Sequence, residues 1–182
     1  MPELQGGISG KGNGINGVNN QIEIKIAQDP GDFLLARELI LEYTKWLNFD
    51  LAFQHIDEER AGLPEMYGNP DGGLILAFLN GKAAGVAGIR KFVGRECELK
   101  RMFVKPENRG LGIGKRLLAE CIEIAKRLHY EVIKLDTTDF MKPAIRLYSD
   151  YGFMEIPAYR YNPHEAARYF ELKIKPAGPL TW

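Results

Sequence analysis

The chain has 182 residues, a length that corresponds to one domain of ordinary size. Its composition, 45% hydrophobic and 26% charged, is typical of a globular protein with a buried core. Lys and Arg number 24, as do Asp and Glu, and the net charge of zero argues against a nucleic-acid-binding protein. Residues 95–182 nevertheless carry sixteen basic and twelve acidic side chains, so we expect an anion-binding site in this half.

Cysteine usage and apolar runs exclude further classes of protein. The two cysteines, Cys97 and Cys121, are too few for a disulfide framework and lack metal-ligand spacing, so we predict two buried thiols and no metal site. No apolar run reaches the roughly 18 residues that span a bilayer, and no signal-peptide pattern opens the chain. We therefore expect a cytoplasmic protein without a membrane partner.

Composition divides the chain into three parts. Residues 1–21 are rich in Gly and Asn and contain little to bury, which favours a flexible leader. We predict a single domain over residues 22–175, followed by a short tail over residues 176–182.

The first predicted element is a strand at Ile22–Ile26, where apolar and polar residues alternate. Asp32 is the predicted N-cap of a helix from about Phe33 to Leu47, and a shorter helix is predicted around Ile56–Met66. Asn80-Gly81 predicts a tight hairpin turn. The strands around this turn are expected to form an antiparallel meander: Leu74–Leu79, Lys82–Phe92 and Glu96–Val104.

After Pro106 the apolar spacing changes to a helical period. The remaining predicted elements are a helix with an apolar face from Leu117 to Leu128, a strand at Glu131–Asp136, a helix from Pro143 to Gly152, a short strand from Phe153, and a last strand at Tyr169–Ile174. The order β-α-α-β-β-β-α-β-α-β-β predicts an α/β domain with a mixed sheet.

The most informative stretch is Val104–Lys115, which reads VKPENRGLGIGK. A strand ends there, three alternate glycines follow, and a helix begins. Glycine lets the backbone approach a ligand closely, and the N–H groups at a helix start attract phosphate. The spacing between the glycines is too short for a P-loop, and the run G-x-G-x-G does not fit the dinucleotide fingerprint. A phosphate-binding loop of another kind is therefore predicted.

Two segments resemble motifs of the GNAT superfamily of acyl-CoA-dependent N-acetyltransferases. Arg109–Gly114 is similar to the pattern Q/R-x-x-G-x-G/A, and Ala144–Phe153 is similar to A-x-x-L-Y-x-x-x-G-F. Together with the element order, the resemblance covers roughly residues 22–174. It implies a mixed, mostly antiparallel sheet in which two splayed strands, Glu96–Val104 and Glu131–Asp136, hold acetyl-CoA between them.

The same resemblance implies which residues bind the coenzyme. The pyrophosphate would bind the amides of the glycine segment, and the pantetheine arm would bind the backbone at the end of the preceding strand. The predicted cofactor-binding residues are Met102, Phe103, Val104, Arg109, Gly110, Leu111, Gly112, Ile113, Gly114 and Lys115. The chain departs from the family at Met141, where many relatives carry an Asn whose amide contacts the pantetheine.

Two residues are predicted to be catalytic through this resemblance. Tyr148 would be the general acid for the departing CoA thiolate, with packing in the apolar stripe of its helix as the alternative. Glu98 would be the general base for the amine, with a solvated carboxylate or a partner of Arg101 as the alternative. Because side chains alternate along a strand, the role of Glu98 requires that its face lines the cofactor cleft.

The predicted function is transfer of an acetyl group from acetyl-CoA to a primary amine by direct attack in a ternary complex, without a metal. An acyl-CoA-binding or sensing module without turnover is one alternative, and an interaction domain with a decayed site is another. The acceptor would be a small-molecule amine or a protein amine. Candidates to contact it, or simply to pack, are Trp46, Phe49, Asp50, Phe53, Tyr159, Arg160, Tyr161 and His164.

Overall fold

The computed structural model describes residues 20–47 and 62–174. The predicted tail, nearly all of the predicted leader, and Phe49, Asp50 and Phe53 lie outside these residues. The elements are β1 (Ile22–Ile26), α1 (Pro30–Leu47), α2 (Leu63–Tyr67), β2 (Gly73–Leu79), β3 (Lys82–Val93), β4 (Glu96–Val104), a 3₁₀ turn (Pro106–Asn108), α3 (Ile113–Arg127), β5 (Val132–Thr138), α4 (Lys142–Asp150), β6 (Met154–Ile156) and β7 (Ala167–Lys173). The bounds of the strands agree with the predicted ones to within two residues.

The strands form one seven-stranded sheet in the order β1-β2-β3-β4-β5-β7-β6. Every neighbouring pair is antiparallel except β4 and β5, which are parallel. The predicted mixed, mostly antiparallel sheet and the β2–β3–β4 meander are therefore confirmed. The pairing of β4 with β5 covers only Glu96–Glu98 and Val132–Lys134, and the two strands separate beyond that point. The sheet thus contains the predicted splayed pair.

Helix α1 begins earlier than predicted, because Asp29 and not Asp32 is its N-cap. Asp29 Oδ1 accepts a hydrogen bond from the backbone N–H of Asp32 at 3.0 Å, and Asp32 Oδ2 accepts one from the N–H of Asp29 at 3.4 Å. Pro30 then occupies the first helical position, where a missing N–H costs nothing. Of the second predicted helix, around Ile56–Met66, the described residues contain α2 at Leu63–Tyr67, and residues 56–61 lie outside the described part.

Strand β4 contains a bulge at Arg101. Gly88 of β3 pairs with Lys100, but Val86 pairs with Phe103, so β4 has one residue more than β3 over this interval. Arg101 has a φ of 56°, which few residues other than glycine adopt. The simple alternation of side chains along β4 therefore ends at Lys100, and both Lys100 and Arg101 are buried.

The two faces of the sheet carry separate cores. Helices α3 and α4 cover one face, where Cys97, Leu99, Cys121 and Leu135 are buried, so both thiols lie where predicted. Helices α1 and α2 cover the other face, whose core includes Phe103. Because Cys97 and Leu99 face α3, the side chains that alternate with them on β4 face the α1 side. Among the described residues, no helix is long and apolar enough to cross a membrane.

Candidate active site

A cavity opens between β4 and β5 where the two strands separate, and we call it the cleft. Its walls come from both strands, from α1 and α4, and from the segment between β6 and β7. Of the predicted site residues, Met102 and Tyr148 line the cleft. The lining also includes Lys100, Asp136 and Thr138, which sequence reasoning did not assign to the site.

The segment of residues 109–115, here called the glycine loop, leads into the N-terminus of α3. Gly110 and Gly112 have φ values of 80° and 85°, in the left-handed region that favours glycine. Gly112 is the N-cap of α3, so the first N–H groups of the helix follow directly and have no intrahelical acceptor. A Cβ at either glycine would meet nothing within 4 Å among the described residues, so the space above the loop is open. These features suit a bound phosphate group.

Two contacts hold Arg109 against the protein. Its Nε donates a hydrogen bond to the Val104 carbonyl oxygen at 3.0 Å, and its guanidinium lies 4.2 Å from the centroid of the Trp46 ring. Trp46 thus packs against Arg109, and the residue is 39% exposed. The side chains of Phe103 and Ile113 are buried, so these two residues offer a ligand only their backbone.

Tyr148, on α4, is buried and lines the cleft. Its ring packs against Phe153 and Phe170, with centroids 5.7 Å and 6.5 Å away. Burial raises the pKa of its hydroxyl well above the ordinary value, so the phenol is neutral at physiological pH and able to donate a hydrogen bond. Tyr148 thus combines the packing role with the position that a role in the cleft requires.

Glu98 lies on β4 and has a side chain only 2% exposed. Its Oε2 accepts hydrogen bonds from Arg90 Nε and Nη2 at 3.2 and 3.0 Å, and its Oε1 accepts from the Tyr159 hydroxyl at 2.9 Å and Arg160 Nη1 at 2.8 Å. Burial alone would raise the pKa of Glu98, but the positive charges of Lys100, Arg160 and Arg90 hold it below the ordinary value.

This geometry makes Glu98 an anchor for two arginines and not a solvated carboxylate. It also disfavours the role of general base, because both oxygens already accept two hydrogen bonds and a lowered pKa weakens a base. Glu98 lines a second, wider cavity of about 510 Å³, which lies between β3 and the segment that links α2 to β2.

A second buried ion pair joins β4 to β5 across the cleft. Lys100 Nζ donates to Asp136 Oδ1 at 2.8 Å, and the two side chains are 4% and 5% exposed. Asn162 Nδ2 donates to Asp136 Oδ2 at 3.0 Å. Burial lowers the pKa of Lys100; burial alone would raise that of Asp136, but the Lys100 ammonium holds it low. Nothing in the spacing of these residues along the sequence indicates that they pair.

The segment between β6 and β7, which carries four of the candidate acceptor contacts, contributes Asn162 and His164 to the lining of the cleft. Tyr159 and Arg160 bind Glu98, whereas Tyr161 is 79% exposed. His164 lines the cleft, and its Nδ1 accepts a hydrogen bond from the Ala166 backbone N–H at 3.2 Å.

Across residues 20–47 and 62–174, no group of three or more His, Cys, Asp or Glu side chains is arranged to hold a metal ion. The two predicted catalytic residues lie on different elements and border different cavities: Tyr148 the cleft, and Glu98 the wider cavity beside it.

Comparison with known proteins identifies the family. Residues 37–153 match the acetyltransferase (GNAT) family. The chain is 37% identical over 153 residues to an uncharacterized N-acetyltransferase of Schizosaccharomyces pombe, which covers 83% of this chain and 92% of that protein. A GNAT-family acetyltransferase structure from Staphylococcus aureus Mu50 is similar with a TM-score of 0.71 and 26% identity, over 85% of this chain and 100% of that one. The PaiA N-acetyltransferase of Thermoplasma acidophilum, solved with coenzyme A, is similar with a TM-score of 0.66 and 21% identity, over 85% and 99% of the two chains. The chain therefore belongs to the GNAT family of acetyltransferases.

Proposed function

We propose that the protein transfers an acetyl group from acetyl-CoA to a primary amine, on a small molecule or a protein, by direct attack in a ternary complex. One observation carries this proposal. The N-terminus of α3, whose first N–H groups have no intrahelical acceptor and can bind phosphate, lies beside a cleft that is lined by Tyr148. The complex of the Thermoplasma acidophilum protein with coenzyme A supports the choice of cofactor.

The cofactor would bind along β4. Its pyrophosphate would accept hydrogen bonds from the N–H groups of residues 111–115, at the positive end of the α3 dipole. The edge of β4 that faces β5 pairs with that strand only as far as Glu98. The backbone N–H and C=O groups of residues 102–104 on this edge are therefore positioned to bind the amides of the pantetheine arm.

In the chemical step, the amine nitrogen attacks the thioester carbonyl carbon, a C–N bond forms, and the C–S bond breaks to release the CoA thiolate. The nitrogen carries a positive charge once the C–N bond has formed, and it gives one proton to water as the neutral amide is produced. The Tyr148 hydroxyl donates a hydrogen bond to the sulfur as negative charge develops there. Because burial raises the Tyr148 pKa, complete proton transfer would leave a buried tyrosinate. We therefore assign Tyr148 to stabilising the thiolate, which then takes its final proton from water.

An ammonium acceptor, with a pKa of about 10.4, must lose a proton before it attacks. Because both oxygens of Glu98 are occupied by Arg90, Tyr159 and Arg160, we assign Glu98 to positioning the segment that carries Tyr159 and Arg160. The proton of the amine then passes to water in the open part of the cleft.

Ligand binding and turnover with the purified protein test the proposal. We expect acetyl-CoA to raise the Tm, because a ligand selective for the folded state stabilises it, and we expect at least one amine in an acceptor screen to accelerate release of free CoA. Binding without amine-dependent CoA release would instead support a sensing module. If the Tm did not change with acetyl-CoA up to millimolar concentration, both the acetyltransferase and the sensing module would be rejected. An interaction domain without coenzyme binding would then be the remaining alternative.

A further inference from the structure

Thr138 is the last residue of β5 and one of the residues that line the cleft. The residue is 5% exposed, and its buried hydroxyl oxygen has no hydrogen-bond partner among residues 20–47 and 62–174. A buried polar group without a partner is destabilising, because it has given up its hydrogen bonds to water and gained none in the protein. Such a group on the wall of a cavity indicates a position completed by a ligand.

The neighbouring polar groups of the cleft are engaged within the protein. Thr137 Oγ1 donates to Met141 Sδ at 3.5 Å, and Lys100 and Asp136 form their ion pair at 2.8 Å. The Thr138 hydroxyl differs from these groups because its donor and its acceptor capacity are both open within the described residues.

We infer that the Thr138 hydroxyl binds an amide group of the pantetheine arm of coenzyme A. This inference rests on the proposed function, which places that arm in the cleft. A neutral hydroxyl matches a neutral amide. A charged ligand group would instead compete with Lys100 for Asp136, or with Asp136 for Lys100, and so disturb their ion pair. Met141 lies nearby but supplies only a thioether, which donates no hydrogen bond. Thr138 therefore supplies a side-chain hydrogen bond on the β5 side of the cleft, opposite the backbone of β4.

Three variants isolate the hydroxyl. Thr138→Val has nearly the same shape and removes only the hydroxyl, and Thr138→Ser keeps it. Thr44→Val is the matched control, because it removes a threonine hydroxyl of α1 that is not among the cleft residues and donates to the Leu41 carbonyl oxygen at 2.8 Å. Isothermal titration calorimetry gives the Kd of CoA and of acetyl-CoA for each variant, and thermal unfolding gives the Tm without ligand.

We expect Thr138→Val to raise the Kd of CoA and of acetyl-CoA equally, by roughly 3- to 10-fold, which corresponds to one lost hydrogen bond. The Tm of unliganded Thr138→Val should equal or exceed that of the parent, because no hydrogen bond inside the protein is lost. Thr138→Ser and Thr44→Val should keep the Kd of the parent.

Three results would overturn the inference while leaving the proposed function intact. They are an unchanged CoA affinity in Thr138→Val, a weakened affinity for acetyl-CoA alone, and a lower Tm in the unliganded variant. The second result would assign the hydroxyl to the acyl group, and the third to an internal partner. Absence of CoA binding by the parent chain is a different outcome, because it rejects the proposed function and this inference together.

Discussion

Tyr148 illustrates at the scale of one residue how packing and chemistry can be separated by a single substitution. Tyr148→Phe keeps the ring against Phe153 and Phe170 and removes only the hydroxyl. We expect kcat to fall by about 10- to 100-fold, because the thiolate loses its hydrogen bond, while the Kd of acetyl-CoA stays unchanged. Steady-state kinetics at saturating substrates and calorimetry measure the two quantities.

Tyr151→Phe is the control for this prediction. The Tyr151 hydroxyl lies at the end of the same helix but donates to the Lys115 carbonyl oxygen at 3.0 Å, on the protein surface. Its removal should leave kcat within about 2-fold of the parent, since a hydrogen bond of this kind contributes little. An equal kcat for Tyr148→Phe and the parent would leave Tyr148 with its packing role alone.

Glu98 is the second residue for which one substitution distinguishes two roles. Glu98→Gln keeps the size of the side chain but removes the charge that Arg90 and Arg160 face, so we expect the free energy of unfolding to fall by about 3 kcal/mol. The pH profile of kcat/KM should keep its acidic limb, because the carboxylate does not take the proton of the amine. Urea denaturation and pH-dependent kinetics test the two expectations.

Glu96→Gln provides a matched change on the same strand, since Glu96 pairs with Lys134 in a more exposed position. Its expected loss of stability is at most about 1 kcal/mol. If Glu98→Gln abolished the acidic limb and left stability intact, the general-base role implied by the family resemblance would be restored and the anchoring role rejected.

The glycine loop and helix α3 act together at the scale of an element, because the loop conformation exposes the N–H groups at the start of the helix. Leu111 is an exposed loop residue, so Leu111→Asp introduces a negative charge with little loss of packing. We expect the Kd of acetyl-CoA to rise at least about 10-fold through repulsion of the pyrophosphate. Gly112 is a less suitable position, because its φ of 85° would strain any other residue.

Leu111→Asn is the control, because Asn has the size of Asp but no charge. Its Kd for acetyl-CoA should stay within about 3-fold of that of the parent, which would show that the effect of Leu111→Asp comes from its charge. The unliganded Tm of Leu111→Asp should not fall, because a carboxylate near a helix N-terminus is favourable. Equal affinities in the two variants would show that the pyrophosphate binds elsewhere.

The buried carboxylates make stability depend on pH at the scale of the whole molecule. Glu98 and Asp136 both have pKa values lowered in the folded state by their cationic partners. A carboxyl group with a lowered folded pKa contributes stability that is present above its unfolded pKa, about 4, and is lost as the pH falls through the folded pKa. We therefore expect the free energy of unfolding to decrease most steeply below about pH 5.

Urea denaturation between pH 3 and pH 7 measures this decrease. In Asp136→Asn the slope below about pH 5 should be shallower, because one of the two linked groups no longer titrates. A main loss of stability already above about pH 6 would contradict the assignment, since neither carboxylate changes protonation in that range.

Local patterns in the sequence were sufficient to predict the order of elements, the meander and the glycine loop. Alternation, helical period and turn residues act between neighbours along the chain, so they are visible without a fold. The same reasoning placed the cap of α1 wrongly, because Asp29 and Asp32 are both good caps and only the backbone decides which residue opens the helix. The bulge at Arg101 could not be predicted from local patterns either, because a bulge is defined by the pairing with the partner strand.

The sequence by itself determined the type and order of the helices and strands and the two motifs. Through these motifs it also determined the resemblance to the family, and the comparisons then established that family. Only the tertiary structure decided which side chains share the site. Lys100 binds Asp136 and Arg160 binds Glu98, across separations of 36 and 62 residues. The splay of β4 from β5 likewise determines that Thr138 faces a cavity with its hydroxyl unpartnered among the described residues. Such contacts form between strands that are distant in the chain, because burial brings their charged and polar groups together and requires them to pair.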